Sequence, residues 1–447
     1  MLCIFNDSEM YLSRSIDNEL LNWKKESHRK PLLLRGARQV GKSSAVRNFS
    51  KNYTYYIELN FDENPELNIF FEGNQSVDEI CEQLSFYSKT PIVSDETLLF
   101  LDEIQTCIPA ISALRYFYEK KPGLHVIAAG SLLEFALSEM PSFGVGRIRS
   151  MFLYPFSFNE FLDAFGEKNL KNLIEKSNSS KPINDLIHKK IITYLKKFFI
   201  IGGMPEAVAI YKETADLLQV QNVLNDLFIS IQDDFIKYIG KVSKQRIAEV
   251  FSAVIMQVGS KFSYTYPNVT QNSSQVKETL SLLQKAGLII PVTHTAANGI
   301  PLGAETNPKK RKFLIFDTGI YQRALNLDIS QIFIESTISI VNKGGIAELH
   351  MGLELIKNSS CYSKPELYYW QREALNSQAE VDYVIQQQED IIPIEVKAGT
   401  KGAMQSMYIF MKEKKAKKGI RCSLENFSEY ENIEVIPLYA VGNIFRS

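Results

Sequence analysis

The chain reads as an α/β protein whose N-terminal part is a parallel, doubly wound sheet. Three observations carry that expectation. Residues 31–34 are an apolar run that leads into a glycine-bounded octapeptide and then into a helix-compatible stretch, residues 44–49. Residues 97–101 are a second apolar run, closed by Asp102 and Glu103. Residues 125–130 are a third, and between the last two, residues 110–120 place Ile111, Leu114, Phe117 and Tyr118 at helical spacing. Unbroken apolar runs belong to strands covered on both faces, and strands alternating with helices give parallel connections.

The octapeptide is Gly36, Ala37, Arg38, Gln39, Val40, Gly41, Lys42 and Ser43, with Ser44 following. It is a complete G-x-x-x-x-G-K-[ST] phosphate loop in the strand-loop-helix setting the motif requires. Gly36 and Gly41 permit the tight backbone path, so that successive N–H groups and the helix N-terminus face an anion. Lys42 reaches β- and γ-phosphates, and the Ser43 hydroxyl reaches Mg²⁺. The expected ligand is ATP with Mg²⁺.

Composition narrows the class. At 447 residues, and about 150 per domain, the chain holds about three domains. Its 45% hydrophobic and 23% charged content is that of an ordinary folded protein, and a net charge of −1 excludes a globally basic nucleic-acid binder but not a local basic face. No stretch approaches the roughly 20 apolar residues of a membrane span, so no membrane is expected as a partner. Residues 1–7 lack a basic region followed by an apolar core. Five scattered cysteines without a C-x-x-C pair point to reduced thiols and a cytoplasmic setting. The five histidines form no zinc pattern, and His125 reads as a strand-end residue.

Asp102 and Glu103 stand at the C-terminal edge of their strand, where open α/β sheets bind ligands. Asp102 is placed to hold Mg²⁺ beside Ser43, and Glu103 to polarise the water that attacks the γ-phosphate. Ser131, leaving the third strand, could sense the γ-phosphate or orient the water, and equally could be the N-cap of the helix that follows; both can hold at once. Arg147, between Gly146 and Ile148, is a candidate for stabilising charge on the γ-phosphate, in cis or from a neighbouring subunit. Arg149 reads as a solubility residue.

Together with residues 154–161 (Tyr-Pro-Phe-Ser-Phe-Asn-Glu-Phe) and 202–208 (Gly-Gly-Met-Pro-Glu-Ala-Val), these motifs resemble a prokaryotic family of AAA-superfamily ATPases with an uncharacterised C-terminal domain. The resemblance covers nearly the whole chain. It implies an AAA-type ATPase core, a winged-helix-like middle and a nuclease-like C-terminal fold, and no settled physiological role.

Further along, the Lys-, Asn- and Ser-rich residues 168–190 read as a linker or exposed helical hairpin. The spacing of Leu217, Leu218, Val223, Leu224, Leu227, Ile229 and Ile231 suggests a helical lid or connector. Residues 246–258 and 272–287 read as two helices, the second closed by Gly287 at a C′ position. Two strands follow, at 288–292 and 312–316. Helices and a two-stranded wing make a winged helix, which docks DNA or a protein partner. The basic run Lys309, Lys310, Arg311 and Lys312 would then sit on the wing and meet phosphates.

In the last hundred residues, Glu348 lies in a helical stretch, Asp382 in a strand, and Glu395 and Lys397 two apart in another. Strand alternation points Glu395 and Lys397 the same way. Carboxylates so gathered suit Mg²⁺ or Mn²⁺, and a nearby lysine can orient or deprotonate water. The set resembles the restriction-endonuclease-like fold residue by residue, with Val381 where the family usually has proline. That resemblance implies Glu348, Asp382 and Glu395 as metal ligands and Lys397 as catalytic.

The expected organisation is therefore an ATPase domain at 1–165, a linker and helical connector at 166–245, a winged-helix-like domain at 246–316 and a restriction-endonuclease-like domain at 317–447. The leading expectation is a Mg²⁺-dependent ATPase whose nucleotide state controls a C-terminal module. An ATP-gated nuclease and a nucleotide-switched binding protein with negligible turnover are the alternatives.

Overall fold

The computed structural model describes residues 11–73, 75–140, 146–235, 242–265, 271–327, 343–373, 379–400 and 402–445. Residues 1–7, read above for a leader, lie outside them. The chain divides into two compact units. Residues 1–154 with 360–364 form the first, and residues 155–359 with 365–447 the second.

The first unit is built on five parallel strands: β1 (Leu32–Arg35), β2 (Tyr55–Asn60), β3 (Thr97–Asp102), β4 (His125–Gly130) and β5 (Arg149–Phe152). They lie in the order β2-β3-β4-β1-β5. Helices α1 (Ser15–Lys24), α2 (Lys42–Ser50), α3 (Val77–Ser88), α4 (Ile108–Lys120) and α5 (Leu133–Glu139) accompany them. Every residue of β3 and β4 is buried, as their unbroken apolar runs require. On one face, Leu33, Leu99, Leu101, Val126 and Ala128 pack with Ile80 and Leu84 of α3 and Ile111, Leu114 and Phe117 of α4. Each of the large side chains contributes about 1.5–3 kcal/mol through burial. Because all five strands run the same way, and Arg35 is in register with Gly130, the ends of β1, β3 and β4 open at one edge of the sheet.

The second unit begins with helices α6 (Phe158–Ala164), α7 (Lys168–Glu175), α8 (Asp185–Ile201), α9 (Pro205–Thr214) and α10 (Leu217–Asp233). The stretch read as a linker or hairpin thus contains α7 and the start of α8. Next come α11 (Lys244–Met256), α12 (Ser273–Lys285) and the antiparallel pair β6 (Ile289–Thr295) and β7 (Thr306–Ile315). Asn272 caps α12 through Ser274 and Gln275 N–H groups, and Gly287 after it takes φ 74°. The remaining elements are α13 (Thr318–Ala324), α14 (Lys343–Lys357), β8 (Leu367–Gln371), β9 (Glu380–Gln387), β10 (Asp390–Val396), α15 (Gln405–Lys414), β11 (Gly419–Ser423), β12 (Ser428–Tyr430) and β13 (Ile433–Pro437).

These strands form one mixed sheet of eight, ordered β12-β13-β11-β10-β9-β8-β6-β7. The hairpin expected as a wing is therefore not free-standing. Val292, Thr293 and His294 of β6 pair in parallel with Leu367, Tyr368 and Tyr369 of β8, which makes β6 and β7 the end of the larger sheet. Among the described residues no helix is long and apolar enough to cross a membrane.

Candidate functional site

The phosphate loop connects β1 to α2, and its backbone follows the path its glycines predict. Gly36 adopts φ 154°, and a Cβ there would stand 2.2 Å from the Leu153 carbonyl oxygen. Gly41 adopts φ 92° as the N-cap of α2. The loop is also held from behind by a residue the motif does not contain. Buried Arg14, just ahead of α1, donates to the Val40 carbonyl at 3.0 Å and the Tyr154 carbonyl at 2.6 Å.

Lys42 is 6% exposed. Its ammonium donates to the Gly36 carbonyl at 3.0 Å and the Ala37 carbonyl at 2.8 Å. Burial lowers its pKa to about 8, against the opposing pull of Glu103 and Asp102. Ser43 Oγ donates to Asp102 Oδ2 at 2.7 Å, so the hydroxyl and carboxylate expected to share Mg²⁺ already face each other. Burial raises Asp102 to about 6, the Ser43 hydrogen bond offsets part of that, and the Glu103 charge adds to it.

Glu103 follows β3 with φ 49°, a left-handed conformation that turns its side chain back across the sheet edge. Its Oε2 accepts Gln105 Nε2 at 2.5 Å and Ser131 Oγ at 3.3 Å. Leu132, not Ser131, is the N-cap of α5 and makes no capping bond with its side chain. Gln105 approaches so closely that a Cβ on Gly130 would lie 2.0 Å from Gln105 Oε1.

Arg147 is placed elsewhere. It precedes β5, which runs parallel to β1, so it lies at the N-terminal edge of the sheet, opposite the edge where the loop opens. It is paired with Glu119 near the end of α4. This position does not serve the γ-phosphate in cis. His125 is a strand-end residue, bonded to Tyr53 Oη at 2.5 Å and Asp95 Oδ1 at 3.3 Å.

In the second unit, Glu348, Asp382, Glu395 and Lys397 come together, joined by Glu380 and by Lys312 of the basic run. Lys312 Nζ lies 2.8 Å from Glu348 Oε1 and 2.6 Å from Glu380 Oε1. Asp382 Oδ2 accepts the Val396 N–H at 2.8 Å. Lys397 Nζ donates to Glu395 Oε1 at 2.6 Å, while Glu395 Oε2 is buried without a hydrogen-bond partner. Burial pushes the Glu348, Asp382 and Glu395 carboxyls above their ordinary range, partly countered at each by lysine charge. Burial also pulls the Lys312 ammonium down, but Glu348, Asp382 and Glu380 reverse the effect and leave it raised.

The basic run is split by the same geometry. Lys312, expected on an exposed wing, is fully buried, and Lys310 pairs with Glu373 at 2.5 Å. Only Lys309 of the four is well exposed. As arranged, the acidic residues do not fit a divalent metal: an ammonium stands among them, and among the described residues no three His, Cys, Asp or Glu side chains could hold a metal ion.

Comparison with known proteins matches residues 28–162 to a family described as an AAA domain. Those residues carry β1 to β5, the phosphate loop and the Asp102–Glu103 pair. The part of the chain similar to an AAA domain is therefore the parallel sheet with its phosphate loop. Residues 192–331 and 343–441 match two domains of unknown function, DUF8612 and DUF4143. None of the curated proteins matches the chain. Solved structures that resemble it include the Walker-type ATPase PABY2304 of Pyrococcus abyssi, 15% identical over 71% of this chain and 96% of that one, with a TM-score of 0.46. Also similar are the Aeropyrum pernix ORC1 protein in complex with DNA (12% identity, 74% and 97% coverage, TM-score 0.30) and the Thermotoga maritima RuvB Holliday junction branch migration motor (14%, 70% and 94%, TM-score 0.30).

Proposed function

We propose that the protein is a Mg²⁺-dependent ATPase whose nucleotide state controls its C-terminal unit. The observation that carries the reading is the Ser43–Asp102 hydrogen bond of 2.7 Å beside Glu103. Hydroxyl and carboxylate are two oxygen donors of the kind Mg²⁺ takes, and they sit directly behind the phosphate loop. When bound, the ion would neutralise charge on the β- and γ-phosphates.

The protein's own groups do the rest. The loop N–H groups and the start of α2 hold the phosphates. Lys42 exchanges its two carbonyl partners for phosphate oxygens. Glu103 Oε2 orients the attacking water and accepts its proton, and Ser131 fixes that carboxylate from the neighbouring strand. Arg147, at the far edge of the sheet, would act only from a second subunit.

Coupling to the second unit is supported by connectivity. The chain crosses between the units at 154/155, 359/360 and 364/365. Residues 360–364 return to the first unit directly after α14, and there the Cys361 carbonyl accepts the Phe152 N–H at 2.8 Å at the end of β5. ATP hydrolysis by the purified protein and by Lys42→Ala tests the assignment: the variant is expected to lose hydrolysis, and equal, non-zero rates in both would sink it.

A further inference from the structure

We infer that the Lys312 ammonium is the resident cation of the acidic cluster, standing where a nuclease-like centre would hold a divalent metal, and that it shuts metal out.

The cluster gathers Glu348 from α14 and Glu380 and Asp382 from β9 around a charge delivered from β7, with Glu395 of β10 beside them. Glu380 and Asp382 are two apart on one strand and so share a face. Lys312 comes from a different part of the chain altogether, 36 residues before Glu348. Its ammonium bridges Glu348 and Glu380 at 2.8 and 2.6 Å, with the Tyr369 ring 5.2 Å from it. These are short, charge-assisted contacts.

Other groups of the cluster are engaged as well. Glu348 spends Oε1 on Lys312, and Asp382 spends Oδ2 on the Val396 N–H. Glu395 gives Oε1 to Lys397, and its other oxygen is buried without a hydrogen-bond partner. The Glu348 end is also closed over. Gly259, at φ 80°, approaches so near that a Cβ there would stand 3.1 Å from Gly345 Cα and 3.3 Å from Glu348 Oε2. A divalent ion needs several of these oxygens at 2.0–2.6 Å at once, and the ammonium held between Glu348 and Glu380 engages two of them and supplies the counter-charge that makes the cluster tolerable in the interior.

The consequence is a change of role. The cluster ties β7, α14 and β9 together, so the hairpin that closes the eight-stranded sheet is locked to the helix bearing Glu348. The residues of a hydrolytic centre are retained as an internal ionic lock, without the metal that would activate water.

The test uses Mn²⁺ alone as the probe on the full-length, nucleotide-free protein, read by the loss of free-ion signal in electron paramagnetic resonance. Wild type is expected to bind no Mn²⁺ that Asp382→Asn removes. Lys312→Met is expected to gain one Mn²⁺ per chain, lost again in Lys312→Met/Asp382→Asn. A wild-type Mn²⁺ site sensitive to Asp382→Asn overturns the inference, as does a folded Lys312→Met that gains none. Should Lys312→Met fail to fold, adding Glu348→Gln and Glu380→Gln, which removes the stranded charges, is expected to restore the fold; failure of that rescue also overturns it.

Discussion

Raising the pH should weaken ATP binding through a single group, Lys42. In the nucleotide-free protein, burial holds this ammonium at a pKa of about 8 rather than the usual 10.5. Phosphate oxygens arriving at Nζ favour the charged form, so the bound state keeps its proton well above that value. Binding therefore takes up a proton at any pH above about 8. The ammonium fraction of the free protein falls from roughly three-quarters at pH 7.5 to roughly one-thirtieth at pH 9.5, so the Kd should rise about 25-fold, or about 2 kcal/mol. Titration with a fluorescent ATP analogue at fixed Mg²⁺ and ionic strength reads this directly. Lys42→Arg, whose guanidinium does not deprotonate in this range, should bind more weakly but with a flat profile. A wild-type Kd that changes less than about twofold over the interval would refute the reasoning.

Other consequences follow from the same geometry. Asp102, raised to about 6 by burial, should be protonated below that pH, so Mg²⁺ affinity in the ATP complex should fall about tenfold per pH unit as the solution is acidified through it; Asp102→Asn should abolish that dependence. Gly36→Ala would drive a Cβ to 2.2 Å from the Leu153 carbonyl oxygen, and the strain should lower the stability of the nucleotide-free protein by about 1–3 kcal/mol in thermal unfolding while weakening ATP binding. Arg14→Met removes both bonds that brace the loop, to Val40 and Tyr154. It should cost a similar amount and raise the Kd for ATP, and Arg14→Lys should not rescue it, since one ammonium lacks the guanidinium's fixed fork.

Much of the first unit was legible because its signals are local. The runs at β1, β3 and β4 are apolar without interruption, and only strands buried on both faces need that pattern. The phosphate loop declares its backbone through Gly36 and Gly41. By contrast, β2 went unread: Tyr55–Asn60 alternates half-buried and buried residues and resembles an ordinary surface segment. Gln105 and Arg14 were invisible as site residues because their importance comes from tertiary neighbours, not from any spacing.

The C-terminal unit was legible as a set of residues but not as a chemistry. The order of Glu348, Asp382, Glu395 and Lys397 anticipated the cluster, whereas Lys312 was misread. Four consecutive basic residues look like a solvated surface, yet strand alternation turned Lys312 inward, and distant carboxylates made that burial tolerable. Sheet membership failed for a similar reason. The parallel pairing of β6 with β8 joins segments more than seventy residues apart, and no hydrophobic period reports a partner at that distance.

The central claim, that Ser43, Asp102 and Glu103 form a hydrolytic centre, is tested most directly by Glu103→Gln. The carboxamide keeps the shape at Gln105 and Ser131 but cannot accept a proton from water. ATP binding should stay close to wild type while single-turnover hydrolysis falls by about 10²–10⁴-fold. Hydrolysis at the wild-type rate in that variant would contradict the account.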